Sequence, residues 1–160
     1  MTTILAIDPG NVESAWVLYA HGTPRAWAKE PNAAVVESIL CVAADVLAIE
    51  CIASYGMAVG KTVFETAEWA GRFIQAWGDD ASVLRVYRRD VKLHLCGSAR
   101  AKDTNVRHAL IDIYGGSGGR RAAVGVKVEP GPLYGMKADC WQALAVARTA
   151  AETRLSGAAA

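Results

Sequence analysis

Two short apolar runs, TILAID at residues 3–8 and DVLAIE at residues 45–50, constrain this chain more than any other feature. Each is rich in β-branched and aliphatic residues and reads as a buried strand. Each also delivers a carboxylate at its end, Asp8 and Glu50. If the two strands lie side by side and parallel, both acids emerge at the same edge of the sheet, where open α/β sheets place their ligands. Two like charges brought together there repel unless a cation sits between them. That requirement points to a hard divalent ion such as Mg²⁺, which binds through one or two carboxylates and substrate phosphates.

The rest of the chain supplies a domain around those strands. Pro9-Gly10 signals a turn directly after Asp8. SAWVLYA and PRAWAKE, separated by His21-Gly22-Thr23, complete an antiparallel three-stranded meander with the first run. NAAVVESILCVA has helical spacing, and TVFETAEWAGRFIQAWG repeats Val63, Ala67, Ala70, Ile74 and Trp77 at three- and four-residue steps. SVLRVY is a further strand. DVKLHL is a short helix ending at Gly97, and KDTNVRHALIDIYGG is a helix stopped by Gly115. Residues 115–135 read as a long Gly-rich loop with a basic centre, a length that is usually functional or disordered. MKADCWQALAVARTAAET is the last helix. This order of elements predicts a mixed α/β domain with helices covering a central sheet.

The 160 residues suit one domain, expected over 1–155 with a flexible tail at 156–160. No apolar run reaches the ~18 residues of a membrane span, and the N-terminus lacks a signal-peptide pattern, so the expected location is the cytoplasm. Cys41, Cys51, Cys96 and Cys140 form no CxxC pair and are expected to be reduced core thiols rather than zinc ligands. The five tryptophans fall at apolar positions and are expected in the core, or, for Trp69 and Trp77, in a dimer interface.

Charge is unevenly spread. Residues 1–84 hold 4 basic and 10 acidic residues, whereas residues 85–128 hold 10 basic and 3 acidic ones. Such an asymmetry suits either a polyanionic partner or an ordinary solvated face. Near the C-terminus Asp139 is the only acid in residues 130–151. It is either a favourable charge at a helix start or a third metal ligand facing the strand ends.

AIDPGNVESAW, LAIE, the segment VYRRDVKLHLCGSARAKDTNVRHAL and ADCWQALAVA, in that order, resemble the RuvC family of Holliday-junction resolvases. AKDTNVRHALIDIYGG followed by GPLYGMKADCWQALAVA is most similar to the compact RuvC-like proteins of bacteriophages and prophages. The resemblance covers the chain to about residue 152. It implies a ribonuclease H-like fold, a mixed five-stranded sheet flanked by helices, and a homodimer that binds branched DNA. It also implies resolution of four-way junctions by paired phosphodiester incision with Mg²⁺, for which Mn²⁺ substitutes. By position the family's acids fall on Asp8, Glu50 and Asp139, the expected metal ligands, while the fourth falls on Gln142, which supplies no charge. Asp103 stands in the middle segment as a compensating catalytic acid or as a helix N-cap. Arg100, Lys102 and Lys137 are expected at the scissile phosphate. Tyr55 with Met57 is expected at an unpaired base, and Lys61 at a phosphate. The remaining DNA contacts are expected from Arg88, Arg89, Arg107, Arg120 and Arg121.

Three other readings compete. GMAVGKT resembles a phosphate-binding P-loop, but only three residues separate Gly56 from Gly60 where the motif wants four. Actin-like ATPases and sugar kinases also begin with a strand ending in Asp-x-Gly, but they need two such domains. Gln142 leaves open a catalytically weak or inactive branched-DNA-binding module on the same scaffold.

Overall fold

The structure is a computed structural model that describes residues 2–155; the tail expected at 156–160 lies outside the described residues. The chain runs β1 (Ile4–Asp8), β2 (Glu13–Ala20), β3 (Thr23–Pro31), α1 (Asn32–Cys41), β4 (Val46–Cys51), α2 (Lys61–Trp77), β5 (Val83–Tyr87), α3 (Arg88–Cys96) and α4 (Asp103–Gly115). It continues through α5 (Gly119–Ala123), β6 (Gly125–Val126), β7 (Glu129–Pro130) and α6 (Cys140–Ala150). The main sheet has the order β3-β2-β1-β4-β5. β1, β2 and β3 form the expected antiparallel meander, and β4 and β5 add parallel to β1.

Side-chain alternation along the strands decides where the two acids point. In β1, Leu5 and Ile7 pack with Val35, Ile39 and Phe73 under α1 and α2. Ile4 and Ala6 pack on the opposite face, with Leu110 of α4 and the residues of α6. In β4, Leu47 and Ile49 take the first face and Ala48 the second. Asp8 follows Ala6, and Glu50 follows Ala48, by two residues. Both carboxylates therefore fall on the face covered by α6, the helix that Asp139 precedes. Helix α6 buries nine of its eleven residues, many of them alanines that let it lie close to the sheet.

The structure corrects several expectations. Residues 116–135 are not a structureless loop: they hold a 3₁₀ turn, α5 and the β6–β7 hairpin. The segment is folded because Ala123, Leu133 and Met136 are buried in the larger core. Leu133 N–H donates to Ala123 O at 2.9 Å and Gly131 N–H to Val124 O at 3.0 Å. A Cβ at Gly131 would stand 2.4 Å from the Ala122 and Ala123 carbonyl oxygens, so this glycine serves close packing rather than looseness. In α2 the one fully buried residue is Phe73, whereas Val63, Ala70, Ile74 and Trp77 are half-buried and Ala67 is exposed. The helix packs on α1 and β4 at the outside of its layer, which covers only part of its apolar face. Only Cys140 is a core thiol; Cys51 and Cys96 are half-buried, and Cys41, at the end of α1, is exposed. Trp141 is buried, while Trp16 and Trp77 sit half-exposed at the rim, donating to Glu30 Oε2 and Ser82 Oγ respectively, each at 2.8 Å.

The turn after Asp8 is pinned by a buried polar network. Gly10 N–H donates to Ser14 Oγ at 3.0 Å, Ser14 Oγ donates to Asn32 Oδ1 at 2.6 Å, and Asn32 Nδ2 donates to Gly10 O at 3.0 Å. A Cβ at Gly10 would meet the Glu13 carbonyl oxygen at 2.2 Å. Gly10→Ala is therefore expected to cost about 2 kcal/mol in urea denaturation. Gly71→Ala, on the exposed side of α2 with nothing near its added Cβ, is expected to stabilise by roughly 0.5 kcal/mol. Equal effects from the two substitutions would contradict this reading of the turn.

Candidate active site

Three adjacent parallel strands end together. Ile7 pairs with Ile49, which brings Asp8 beside Glu50; Glu50 pairs with Val86, and Arg88 opens α3 just beyond β5. Asp8 and Glu50 are only 8% and 7% exposed. Arg88 grips Glu50 with two hydrogen bonds, Nε to Oε1 at 2.9 Å and Nη2 to Oε2 at 3.2 Å. Its Nη2 also stands 3.7 Å from Asp8 Oδ1, and its Nη1 3.5 Å from Asp103 Oδ2. Lys92, one turn along α3, lies 3.5 Å from Asp103 Oδ1. Asp8, Glu50, Arg88 and Lys92 line a cleft of about 480 Å³, together with Tyr55, Thr66, Arg89 and Ala99.

The electrostatics of the pair are unbalanced. Burial, then hydrogen bonding to Glu50 and its charge, push the Asp8 carboxyl up to about 9 against the pull of Arg88. The guanidinium is committed to Glu50, so Asp8 keeps a proton at neutral pH. The folded state thus binds a proton that the unfolded chain releases above the ordinary value of 3.8. Stability of the metal-free protein is expected to fall as pH rises from about 4 to about 9, the sign set by a folded-state value above the unfolded one. Divalent-ion affinity is expected to rise over the upper part of the same window, because the ion displaces that proton. Thermal melts across this range, with and without Mn²⁺, check both slopes.

Asp139 is placed differently. It occupies the N-cap of α6 rather than its first turn, and its carboxylate is about half exposed. Lys29 Nζ stands 2.8 Å from Asp139 Oδ2 and 3.9 Å from Glu13 Oε2. Asp139 still acts on Asp8 through its charge. The preceding Ala138 has φ of 46°, a conformation uncommon outside glycine. Among the described residues no group of three or more His, Cys, Asp and Glu side chains converges to hold a metal. The convergent donors are Asp8 and Glu50. Two buried carboxylates at an open cleft fit a hard divalent cation whose other positions are filled by water and phosphate.

Asp103 is not the N-cap of α4. Lys102 holds that position, and its backbone N–H donates to Asn105 Oδ1 at 2.8 Å. Asp103 is the first helical residue and reaches Arg88 and Lys92 instead. Of the expected DNA-binding residues, Tyr55, Arg88 and Arg89 line the cleft. Tyr55 is 59% exposed in a left-handed turn, with the Arg89 guanidinium 6.0 Å from its ring centre. Lys61, at the start of α2, pairs with Glu65 at 3.4 Å. Arg100, Lys102, Arg120 and Lys137 are exposed. Arg107 lies over the Trp141 ring at 4.7 Å, and Arg121 pairs with Glu129 at 3.6 Å in the hairpin segment.

Sequence reasoning missed two members of this constellation. Lys92 stands four residues after Arg88, a spacing that puts both on one face of α3. Lys29 was signalled by the register of the meander: Asp8 pairs with Ala15, and Ala15 with Lys29, so the lysine lies two strands from Asp8 in the same row.

The chain superposes on two structures of a bacterial protein. Against Thermus thermophilus RuvC the TM-score is 0.66, with 17% identity over 97% of this chain and 96% of that one. Against T. thermophilus RuvC in complex with Holliday junction substrate it is 0.67, with 18% identity over 98% and 97%. The likeness shows the fold: a ribonuclease H-like mixed sheet of five strands flanked by helices. No protein-family model and no curated protein matches the chain.

Proposed function

We propose that this chain is a metal-dependent, structure-selective DNA endonuclease that resolves four-way junctions by paired phosphodiester incision. One observation carries the reading: two buried carboxylates, Asp8 and Glu50, meet at the ends of parallel strands in an open cleft ringed by Arg88, Arg89 and Lys92. The fold around them is the one RuvC uses with Holliday junction substrate. Asp8 and Glu50 would hold Mg²⁺, with Mn²⁺ as a substitute, and Asp139, whose charge is felt by Asp8, would join them only by moving off Lys29. When bound, a divalent cation supplies Lewis-acid charge and an activated water for in-line attack on the phosphodiester. Lys92 and Arg89, which line the cleft, offset the charge of the phosphate there. Tyr55 and Arg89 form an exposed aromatic and basic rim suited to an unstacked base and its phosphate. Arg100, Lys102, Arg120 and Lys137 give contacts that position the backbone without reading sequence.

Paired incision requires two sites at a fixed separation, and a C2 dimer provides them. The incompletely covered face of α2, with Trp69 and Trp77 half-buried, is the surface proposed for that dimer. The working unit is one domain over 1–155. Among the described residues no helix is long and apolar enough to cross a membrane. The cytoplasm, where chromosomal DNA is reached, is the proposed location.

A second reading, a branched-DNA-binding module without cleavage, is favoured by Gln142 and by the pairing of Glu50 and Asp139 with Arg88 and Lys29. Incubation of a labelled four-way junction and a linear duplex of the same sequence, with Mg²⁺, Mn²⁺ or EDTA, separates the two. Cuts confined to the junction and lost in EDTA support the nuclease; tight junction binding with no product in either metal supports the binding module.

A further inference from the structure

The guanidinium of Arg88 leaves no edge free for a phosphate. Nε and Nη2 face the two oxygens of Glu50, Nη2 also approaches Asp8, and Nη1 approaches Asp103. Both oxygens with which Glu50 would ligate an ion are therefore capped. A bidentate arginine–carboxylate pair is among the stronger side-chain contacts, and here it forms where the carboxylate is nearly buried. The Arg88 side chain itself is 45% exposed, so it can leave the acid pair without unpacking the core. A second berth is already in place: Asp103, 52% exposed, lies on the solvent side of the guanidinium and is shared with Lys92.

We propose that Arg88 is a latch, an internal counter-ion that occupies the Asp8–Glu50 pair in the metal-free protein and competes with divalent metal for it, with Asp103 as the berth to which it retires. This rests on the proposed nuclease reading and adds to it a control on when the site loads. A cation competes with Arg88 for the Glu50 oxygens and is repelled by its charge, so the arginine raises the concentration at which the site fills. Asp103 then acts in the opposite direction, because its charge draws the guanidinium away from Glu50. Arg88 and Asp103 are positioning residues here.

The test is direct binding of Mn²⁺ to the full-length protein, read by electron paramagnetic resonance of the free ion at neutral pH without DNA. Arg88→Gln is expected to bind Mn²⁺ at least about tenfold more tightly than wild type, since a unit charge a few ångströms from the ligand oxygens is removed. Arg88→Lys, which keeps the charge but loses the two-point grip, is expected to fall between the two. Asp103→Asn is expected to bind about threefold more weakly, since the alternative berth is weakened. Asp8→Asn serves as the reference for site occupancy. Mn²⁺ binding that depends on Asp8 but is unchanged or weaker in both Arg88 variants would overturn the latch and leave the nuclease reading standing. Absence of any Asp8-dependent binding, in wild type and in the Arg88 variants alike, would overturn both.

Discussion

Asp8→Asn is expected to abolish junction cleavage, by at least about 10³-fold, and at the same time to make the metal-free protein harder to unfold. The two effects share one cause. Asp8 sits nearly buried against Glu50 with its carboxyl pushed up to about 9, so at neutral pH folding has to keep it protonated. An asparagine of the same shape carries no charge and can still donate to Glu50. The expected gain in stability is on the order of 2 kcal/mol, several degrees in Tm for a chain of this size. The gain should shrink steadily as pH falls toward 4 and vanish below it, where wild-type Asp8 is protonated in both folded and unfolded states. Activity and stability thus move in opposite directions, as expected where a site is held in a strained state for function. A variant that lost activity and also melted earlier would mean that Asp8 is a structural turn residue.

Junction affinity is expected to fall roughly 500-fold between 50 and 200 mM salt in EDTA, the slope for about five phosphate contacts. The structure separates basic residues free for this task from those already engaged. Arg89, Arg100, Lys102, Arg120 and Lys137 are exposed, whereas Arg85 pairs with Asp80, Arg121 with Glu129, and Arg107 stacks on Trp141. Replacing Arg100 or Lys102 by Gln is expected to reduce the salt slope by about one unit each. The same change at Arg85 is expected to leave the slope unaltered. A flat salt dependence in fluorescence anisotropy would remove the basic segment from the interface.

The sheet and the first two acids were legible because strand alternation and strand-end chemistry are local. Leu5 and Ile7 alternate with Ala6 and Asp8, and Leu47 and Ile49 alternate with Ala48 and Glu50, so parity and parallel pairing follow from the two runs themselves. The basic partners were not legible in the same way. Arg88 could be assigned to DNA from its charge, but nothing local says that its guanidinium folds back onto Glu50. That contact depends on β5 lying beside β4, a non-local fact. Lys29 reaches Asp139 only because the meander and the last helix are brought together across the sheet. Residues 115–135 misled for another reason. Their glycines mark loops when read alone, whereas in the fold Gly131 and Gly125 permit close backbone approach around a small buried anchor of Ala123 and Leu133. Asp103 sits one position past the helix cap, a shift that sequence cannot resolve.

The most direct measurement is a single-turnover cleavage assay on a four-way junction with each of the four strands labelled in turn, in Mg²⁺. Metal-dependent incision at matching positions on two opposite strands, at the crossover and nowhere on linear duplex, is the predicted result. Junction bound tightly while all four strands stay intact, or cuts scattered along linear duplex, would contradict it.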